Sequence, residues 1–297
     1  MSTATTTSAS SAATSAPQRR TRLSRPKSHL TRGQLPAILL LLALCVFTVG
    51  PFIVMLILAL TPVGAQTIPF RWPDTLTLEN ITRVLQQQSL KRWVWNSFVY
   101  SVVSVVIILF TAAMAGYAFA KKRFPGRDVI MWSFLATLMV PTQATLIPMF
   151  VLISNLDGIN TYWGLIVPTL ANSQAVFLMR QFIRDLPDEL FEAARVDGAG
   201  EWTVFLRIVL PSTKPILATL GIFVFLWHWN DFLWPLVIAQ SDRMKTLTVG
   251  LAGLNSESVS TSNLMAASAV SVVPCLVIFF LLQRYLVNSI TMSGIKG

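Results

Sequence analysis

Six long apolar runs constrain the fold of this chain more than any other feature. They cover residues 35–60, 93–119, 129–153, 163–182, 216–239 and 264–282. An α-helix rises about 1.5 Å per residue, so about 20 apolar residues cross a hydrocarbon core of about 30 Å. With 54% hydrophobic and only 12% charged residues, the chain is too apolar for a soluble domain. The sequence predicts an all-α, polytopic membrane bundle of six transmembrane helices within residues 35–290.

The second and third runs carry signals about helix geometry. In the second run, Ala112, Gly116 and Ala120 recur every four residues, a small-residue pattern that lets helices approach closely. In the third run, Pro141 and the polar residues after it interrupt the apolar sequence. Proline and polar groups at this depth are typical of a kinked or broken helix.

The ends of the chain and its basic residues predict its orientation. Residues 1–34 are rich in Ser, Thr and Ala and then in Arg, which is typical of a disordered tail. Arg19-Arg20 also fits a twin-arginine export signal, but the next run is too long and lacks a small-residue cleavage site, which favours an uncleaved first span. When both ends, 1–34 and 291–297, are assigned to the cytoplasm, most of the 23 Lys and Arg residues fall in inside segments, as the positive-inside rule requires.

One long segment between the fourth and fifth runs is polar. It begins at Pro187, which suits the first turn of a helix, and ends at Pro211. Gly198 and Gly200 indicate a turn, because glycine enters left-handed backbone conformations without steric cost. The orientation assigned above makes this segment a cytoplasmic helix pair.

A set of residues with fixed offsets lies within this segment: Glu192, Ala193, Ala194, Asp197, Gly198, Ala199, Phe205, Leu210 and Pro211. Their spacing resembles the EAA loop of permease subunits of binding-protein-dependent ABC importers, in particular the carbohydrate, or maltose-type, group. The resemblance implies a coupling-helix loop that docks on a separate ATPase, with Glu192 forming an ion pair with a basic residue of that ATPase. An ordinary surface hairpin is the alternative.

The fifth run contains a polar and aromatic string that is also similar to the carbohydrate permeases. Its candidate solute-pathway residues are Trp227, Trp229, Asn230, Asp231 and Trp234. Aromatic faces can stack on sugar rings, while Asn and Asp can hydrogen-bond to hydroxyl groups. The alternative is structural: the polar pair bonds neighbouring helix ends, and the tryptophans anchor the membrane interface.

The loop between the fifth and sixth runs resembles a segment of these permeases that reaches towards the solute-binding protein. Thr248 stands where those permeases usually have proline. The resemblance implies a binding-protein contact within residues 246–256, and a plain connector is the alternative. The candidate contact residues are Thr246, Val249, Gly250 and Leu251.

The resemblance also implies the partners and the compartment. They are a second homologous permease, two copies of an ABC ATPase that hold ATP and Mg, an extracytoplasmic solute-binding protein, and the lipid of a bacterial inner membrane. The chain itself has no Gly-x-x-x-x-Gly-Lys-Ser/Thr phosphate-binding string. No metal or cofactor site, enzymatic activity or nucleic-acid binding is predicted for it.

Alternative functions remain open from the sequence. A permease for glycerol phosphate or another polyol phosphate fits the same motifs. An ion-coupled secondary transporter would need several intramembrane carboxylates, whereas Asp231 is the only acidic residue well inside a predicted span. A membrane-embedded enzyme would have to use His228 with Asp231, a pair that lacks a nucleophile at any defined spacing.

Overall fold

The computed structural model describes residues 35–63, 72–256 and 260–294, which contain helices and no strand. The predicted tail at 1–34 lies outside these ranges, and the predicted tail at 291–297 begins inside a helix that continues to Gly294. The chain divides into two units, Met1–Gly50 and Pro51–Gly297. The first contributes a helical segment with exposed apolar side chains, and the second contributes the elements that follow. The predicted all-α membrane fold class is confirmed.

The described residues form fourteen α-helices. They are α1 (Leu35–Ala59), α2 (Glu79–Gln86), α3 (Gln88–Lys121), α4 (Arg127–Thr137), α5 (Thr142–Asn155), α6 (Tyr162–Ile166), α7 (Ser173–Arg184), α8 (Asp188–Val196), α9 (Glu201–Val204), α10 (Leu210–Ser212), α11 (Lys214–Trp229), α12 (Leu233–Ile238), α13 (Leu247–Ser256) and α14 (Thr261–Gly294). A 3-10 turn lies at Val167–Thr169, and a π-helical turn lies at Phe205–Val209.

Several of these helices can span a membrane. Three are long and apolar enough alone, namely Pro36–Ala59 in α1, Gln88–Lys121 in α3 and Thr261–Leu281 in α14. Two bent pairs qualify when each pair counts as one span: α4 with α5, bent by 100°, and the Glu201–Ser212 segment with α11, bent by 73°. The break predicted in the third run is therefore confirmed.

The fourth run does not form the continuous helix that its hydropathy predicts. It is divided into α6, the 3-10 turn and α7. Pro168 lies in the 3-10 turn, and the Asn172 side chain accepts a hydrogen bond from the Ala175 N–H at 2.8 Å. Proline cannot donate the helical hydrogen bond, and a capping asparagine satisfies an N–H of a first turn. A new helix therefore begins at Ser173.

Helix α3 is central to the packing of residues 51–297, because it contacts both α7 and α11. Gly116 marks the closest approach to α7. A Cβ added there would lie 2.9 Å from both the Arg180 backbone nitrogen and the Met179 Cβ. The close helix approach predicted from the small-residue spacing is confirmed at this position. Buried residues at the α3 contacts include Ile108, Ala112, Ala113, Met179, Ile183, Leu220 and Val224.

Substituting Gly116 with alanine is expected to destabilise the protein by about 1–3 kcal/mol through overpacking. The new methyl group would overlap the α7 backbone, which cannot yield as a flexible side chain does. Gly221→Ala is the matched control, because that Cβ would meet only Leu109 Cδ1, at 3.4 Å. Both changes raise helix propensity, by up to about 1 kcal/mol. The thermal unfolding midpoint in detergent should fall for Gly116→Ala alone, and equal midpoints for both variants would contradict the packing.

Candidate functional site

The polar segment between the fourth and fifth runs forms two helical stretches joined by a turn. The first stretch is α8, and the second runs through α9, the π-helical turn and α10. The turn closes with a hydrogen bond from the Ala199 N–H to the Ala194 carbonyl at 2.9 Å. The predicted helix pair is present at residues 186–211, which we call the coupling loop.

The two glycines of the coupling loop turn differ in conformation. Gly198 has φ of +73°, a left-handed value that favours glycine. Gly200 has φ of −70° and ψ of 161°, an extended conformation open to any residue. A Cβ at Gly198 would meet no atom within 4 Å. The constraint at Gly198 is therefore its left-handed backbone conformation, because the space around it is open.

Burial sorts the coupling residues into an inner and an outer set. Phe205 and Ala194 are buried, Ala199 and Leu210 are half-buried, and the remainder are exposed. In the described ranges the Glu192 side chain forms no hydrogen bond or ion pair with another residue. The exposed members of the motif are Glu192, Ala193, Asp197, Gly198 and Pro211.

The inner side of the loop packs on the C-terminal end of α3. The Tyr117 ring stacks on Phe191 with ring centroids 6.1 Å apart, and it lies 6.2 Å from Phe205. Phe191 belongs to the first helix of the loop and Phe205 to the second. One aromatic side chain of α3 thus contacts both helices of the pair.

Two lysines at the end of α3 complete this attachment. Lys121 Nζ donates to the Leu186 carbonyl at 2.7 Å, the Arg184 carbonyl at 3.3 Å and Asp188 Oδ1 at 2.7 Å. Lys122 forms an ion pair with Glu201, whose other carboxylate oxygen accepts a hydrogen bond from the Tyr117 hydroxyl at 2.9 Å. Lys121 therefore bonds to the chain before the turn, and Lys122 and Tyr117 bond to the chain after it. We call Tyr117, Lys121, Lys122, Asp188 and Glu201 the α3 clamp.

The lysines of the α3 clamp lower the pKa of their acidic partners. The hydrogen bond from Lys121 holds the pKa of the Asp188 carboxyl below its usual value, and the hydrogen bond from Lys122 does so for Glu201. A carboxyl with a depressed folded-state pKa contributes stability above its unfolded pKa, and that stability is lost as the pH falls through the folded value. The Asp188 and Glu201 carboxylates are consequently ionised at neutral pH.

The fifth run is broken beside its acidic residue. Helix α11 ends at Trp229 and α12 begins at Leu233, so the single helix predicted through residue 239 is divided. The Tyr100 hydroxyl donates to Asp231 Oδ2 at 2.8 Å, and the Thr248 hydroxyl donates to the Asp231 carbonyl at 2.6 Å. Asp231 therefore ties the break to α3 and α13.

His228, a buried residue near the end of α11, also has protein partners. His228 Nδ1 lies 2.8 Å from the Val224 carbonyl, and its Nε2 lies 3.2 Å from Thr169 Oγ1. Its ring meets that of Tyr100 edge to face at 4.9 Å. The His228 and Asp231 side chains are thus linked to α3 and the 3-10 turn.

The three candidate tryptophans differ in burial. Trp229 and Trp234 are buried, and their indole N–H groups donate to the backbone carbonyls of Ser271 at 3.2 Å and Leu165 at 3.0 Å. Trp227 is 50% exposed. Trp229 and Trp234 therefore bond to the backbone of α14 and α6, and Trp227 is the exposed one of the three. Neither the pathway role nor the interface role of these tryptophans is tested by these contacts, and both stay predictions.

Asn230 is exposed and lies beside a cavity. Its amide donates to the Leu226 carbonyl at 2.8 Å, which leaves its side-chain oxygen available. A cavity of about 260 Å³ opens between α11, α13 and α14. Its lining residues are Leu226, Trp229, Asn230, Leu247, Thr248, Leu251, Ser271, Val272 and Cys275.

Most of the candidate binding-protein contacts are turned inward. Thr246, Val249 and Gly250 are buried, and Leu251 is half-buried. A Cβ at Gly250 would overlap the Trp93 ring, so glycine is needed for this contact. These positions hold α13 on α3, and contact with a binding protein stays a prediction.

The family comparison determines the class of the protein. The family model described as "Binding-protein-dependent transport system inner membrane component" matches residues 108–292, more than half of the chain. The chain belongs to this family. It is a multi-pass membrane permease subunit of a transport system and not a catalytic enzyme, and the predicted resemblance to ABC importer permeases is confirmed.

Several characterised relatives match most of the chain. The arabinooligosaccharides transport system permease protein AraQ of Halalkalibacterium halodurans is 40% identical over 228 residues, 76% of this chain and 81% of AraQ. The sn-glycerol-3-phosphate transport system permease protein UgpE of Yersinia pestis bv. Antiqua is 37% identical, over 67% of this chain and 72% of UgpE. The alpha-glucoside transport system permease protein AglG of Rhizobium meliloti is 37% identical, over 76% of this chain and 62% of AglG.

Solved structures share the fold. A chain of a bacterial ABC transporter involved in the import of the acidic polysaccharide alginate matches with a TM-score of 0.77 and 23% identity, over 86% of this chain and 99% of that chain. A chain of the alginate transporter in complex with its alginate pentasaccharide-bound periplasmic protein matches with a TM-score of 0.61 and 17% identity, over 85% and 93% of the two chains. The all-helical membrane fold of this chain agrees with these structures, and the described residues supply three spans alone or five when each bent pair counts as one.

Proposed function

We propose that the chain is the membrane-spanning permease subunit of an ABC importer that translocates a sugar or sugar-like solute by alternating access. The observation that carries this proposal is the 40% identity with an arabinooligosaccharide permease over most of both chains. The exposed motif of the coupling loop supports it, because that surface is free to receive a partner. Both termini are proposed to be cytoplasmic, which puts the coupling loop on the side where ATP is available.

The proposed assembly contains this chain, a second homologous permease, two copies of an ATPase that bind ATP and Mg, and an extracytoplasmic binding protein. The binding protein delivers the solute from outside. ATP-driven closure of the ATPases moves the coupling loops and switches the bundle between outward and inward access. Glu192 is the charged contact with the ATPase in this scheme, and Gly198 sets the angle between the two helices of the loop.

A glycerol phosphate solute is the second candidate, because UgpE is 37% identical to this chain. A phosphate group is recognised by Arg or Lys side chains or by backbone N–H groups. The accessible pathway candidates in this chain are Trp227, Asn230 and Asp231, which include a carboxylate and no basic side chain. This chemistry favours a neutral solute with many hydroxyl groups.

The Trp227→Ala substitution is expected to lower solute uptake severalfold, because an exposed aromatic face in a sugar pathway contributes about 0.5–1.5 kcal/mol through stacking. Asp231→Asn is expected to lower it as well, although the amide oxygen still accepts the Tyr100 hydrogen bond. Trp132→Ala is the matched control, since Trp132 is an exposed tryptophan of α4. The measurement is uptake of a labelled arabinooligosaccharide and of glycerol 3-phosphate into vesicles that contain the assembled complex.

Two outcomes of this assay are informative. Wild-type uptake by Trp227→Ala and Asp231→Asn, with unchanged preference between the two solutes, removes these residues from the pathway. Uptake of glycerol 3-phosphate in preference to the oligosaccharide overturns the proposed solute class.

A further inference from the structure

Helix α3 joins the two functional regions of the chain without interruption. It is 34 residues long, about 51 Å at 1.5 Å per residue, and contains no proline. The other apolar runs in the described residues are either divided or contain a proline, as α1 does at Pro51 and α14 does at Pro274. An unbroken α-helix transmits a displacement along its length, whereas a broken one absorbs it at the break.

The cytoplasmic end of α3 is attached to both helices of the coupling loop. The Lys121 side chain is only 8% exposed, and its ammonium group has three acceptors from residues 184–188. A single exposed ion pair contributes little to stability. The α3 clamp instead combines a buried ammonium group, a second ion pair and the Tyr117 ring. Removing the buried ammonium group takes away the hydrogen bonds that these three acceptors receive from it.

The opposite half of α3 is attached to the region of the solute pathway. Tyr100 bonds to Asp231 at the break between α11 and α12. Three further side chains of α3 bond to the loop before α13. Trp93 Nε1 donates to the Asp242 carbonyl at 3.3 Å, Asn96 donates to the Arg243 and Lys245 carbonyls at 2.9 Å, and Ser97 Oγ accepts the Leu247 N–H at 2.8 Å.

We propose that Lys121 and Lys122 are positioning residues that fix the coupling loop to α3, so that α3 moves with the loop and carries its displacement to the break at Asp231. The proposal rests on the proposed function, because the displacement originates in an ATPase. The new part of this proposal is that the displacement passes along α3 and through side chains that lie outside the coupling motif. The Lys122–Glu201 pair is the part of the α3 clamp that a charge exchange can test, since both side chains reach solvent.

The test measures whether ATP binding to the ATPase changes the solvent accessibility of a position near the break at Asp231. A cysteine at Gln240, an exposed position just after α12, is labelled with a membrane-impermeant maleimide in the assembled complex with Cys45 and Cys275 replaced by serine. ATP with vanadate is expected to change the labelling rate in this parent protein. Lys122→Glu is expected to reduce that change at least about fivefold, and the double exchange Lys122→Glu with Glu201→Lys is expected to restore it.

A second variant distinguishes loss of the ion pair from misfolding of the protein. Glu201→Gln keeps an acceptor for the Tyr117 hydroxyl and removes only the charge, and it is expected to weaken the ATP-induced change while ATP hydrolysis by the complex persists. The proposal is overturned when Lys122→Glu retains the full ATP-induced change, or when the double exchange fails to restore it. Failure of the proposed function is a different result, because then the parent protein itself shows no response to ATP.

Discussion

Replacing Glu192 with lysine is expected to abolish ATP-driven solute uptake while the protein still inserts in the membrane at its normal level. Glu192 is exposed on α8 and has no ion-pair partner in the described part of the chain, so its loss leaves the fold intact. Removing one partner of a close interfacial charge pair costs about 2–5 kcal/mol, and reversing the charge adds repulsion. The measurements are solute uptake and solute-stimulated ATP hydrolysis by the assembled complex.

Asp185→Lys is the matched control for Glu192→Lys. Asp185 is an exposed acidic residue just before the coupling loop, outside the motif, and its pair with Arg184 is exposed as well. A lysine there would lie at the C-terminal end of α7, where a positive charge is favourable. Equal loss of uptake in both variants would mean that the general charge of the loop matters and that Glu192 has no specific contact.

The Gly198→Val substitution is expected to lower uptake by about tenfold or more. Valine at φ of +73° is strained, since the left-handed conformation costs an L-residue about 1–2 kcal/mol and a β-branched residue more. The strain is relieved by changing the angle between the two helices of the coupling loop. The surroundings are open, so the effect is on the turn and not on packing. Uptake and the protein level in the membrane are measured together.

Two variants isolate the conformational cause at this turn. Gly198→Asn is expected to be much milder than Gly198→Val, because asparagine enters the left-handed region more readily than other residues. Gly200→Ala is expected to behave as the wild type, because Gly200 has an extended conformation with open space around it. A Gly198→Val variant as active as Gly200→Ala would show that the left-handed turn is not needed for coupling.

The coupling loop could be predicted from sequence because its signals are local. Pro187, the glycine turn and Pro211 each restrict the backbone within a few residues, and the structure has helices on both sides of the turn. The α3 clamp could not be predicted in this way. Lys121 and Asp188 are 67 residues apart, and Lys122 and Glu201 are 79 residues apart. In the sequence these lysines contribute only to the orientation of the spans.

Hydropathy predicted where apolar segments lie but not whether each forms one helix. The third run was interrupted by polar residues, and its break was foreseen. In the fourth and fifth runs only a few polar residues and prolines mark the breaks: Pro168 and Asn172 in one, and Asn230, Asp231 and Pro235 in the other. A hydropathy average gives such residues little weight, although proline and capping side chains decide where helices begin.

The sequence also could not separate the tryptophans of the fifth run. Trp227, Trp229 and Trp234 have the same chemistry, and a helical or broken segment can present any of them to solvent. Their burial depends on α14 and α6, which supply the carbonyl partners of Trp229 and Trp234. The burial of these tryptophans therefore depends on long-range contacts, and a role of any of them in the solute pathway stays a prediction.

The central claim is that the coupling loop transfers work from an ATPase to this permease, and uptake into proteoliposomes tests it most directly. The assembled complex is reconstituted with wild-type chain or with Glu192→Lys, with and without ATP on the cytoplasmic side, in the absence of ion gradients. The account predicts ATP-dependent uptake by the wild type and none by Glu192→Lys. Uptake by the wild type that proceeds equally without ATP, or undiminished uptake by Glu192→Lys, would contradict it.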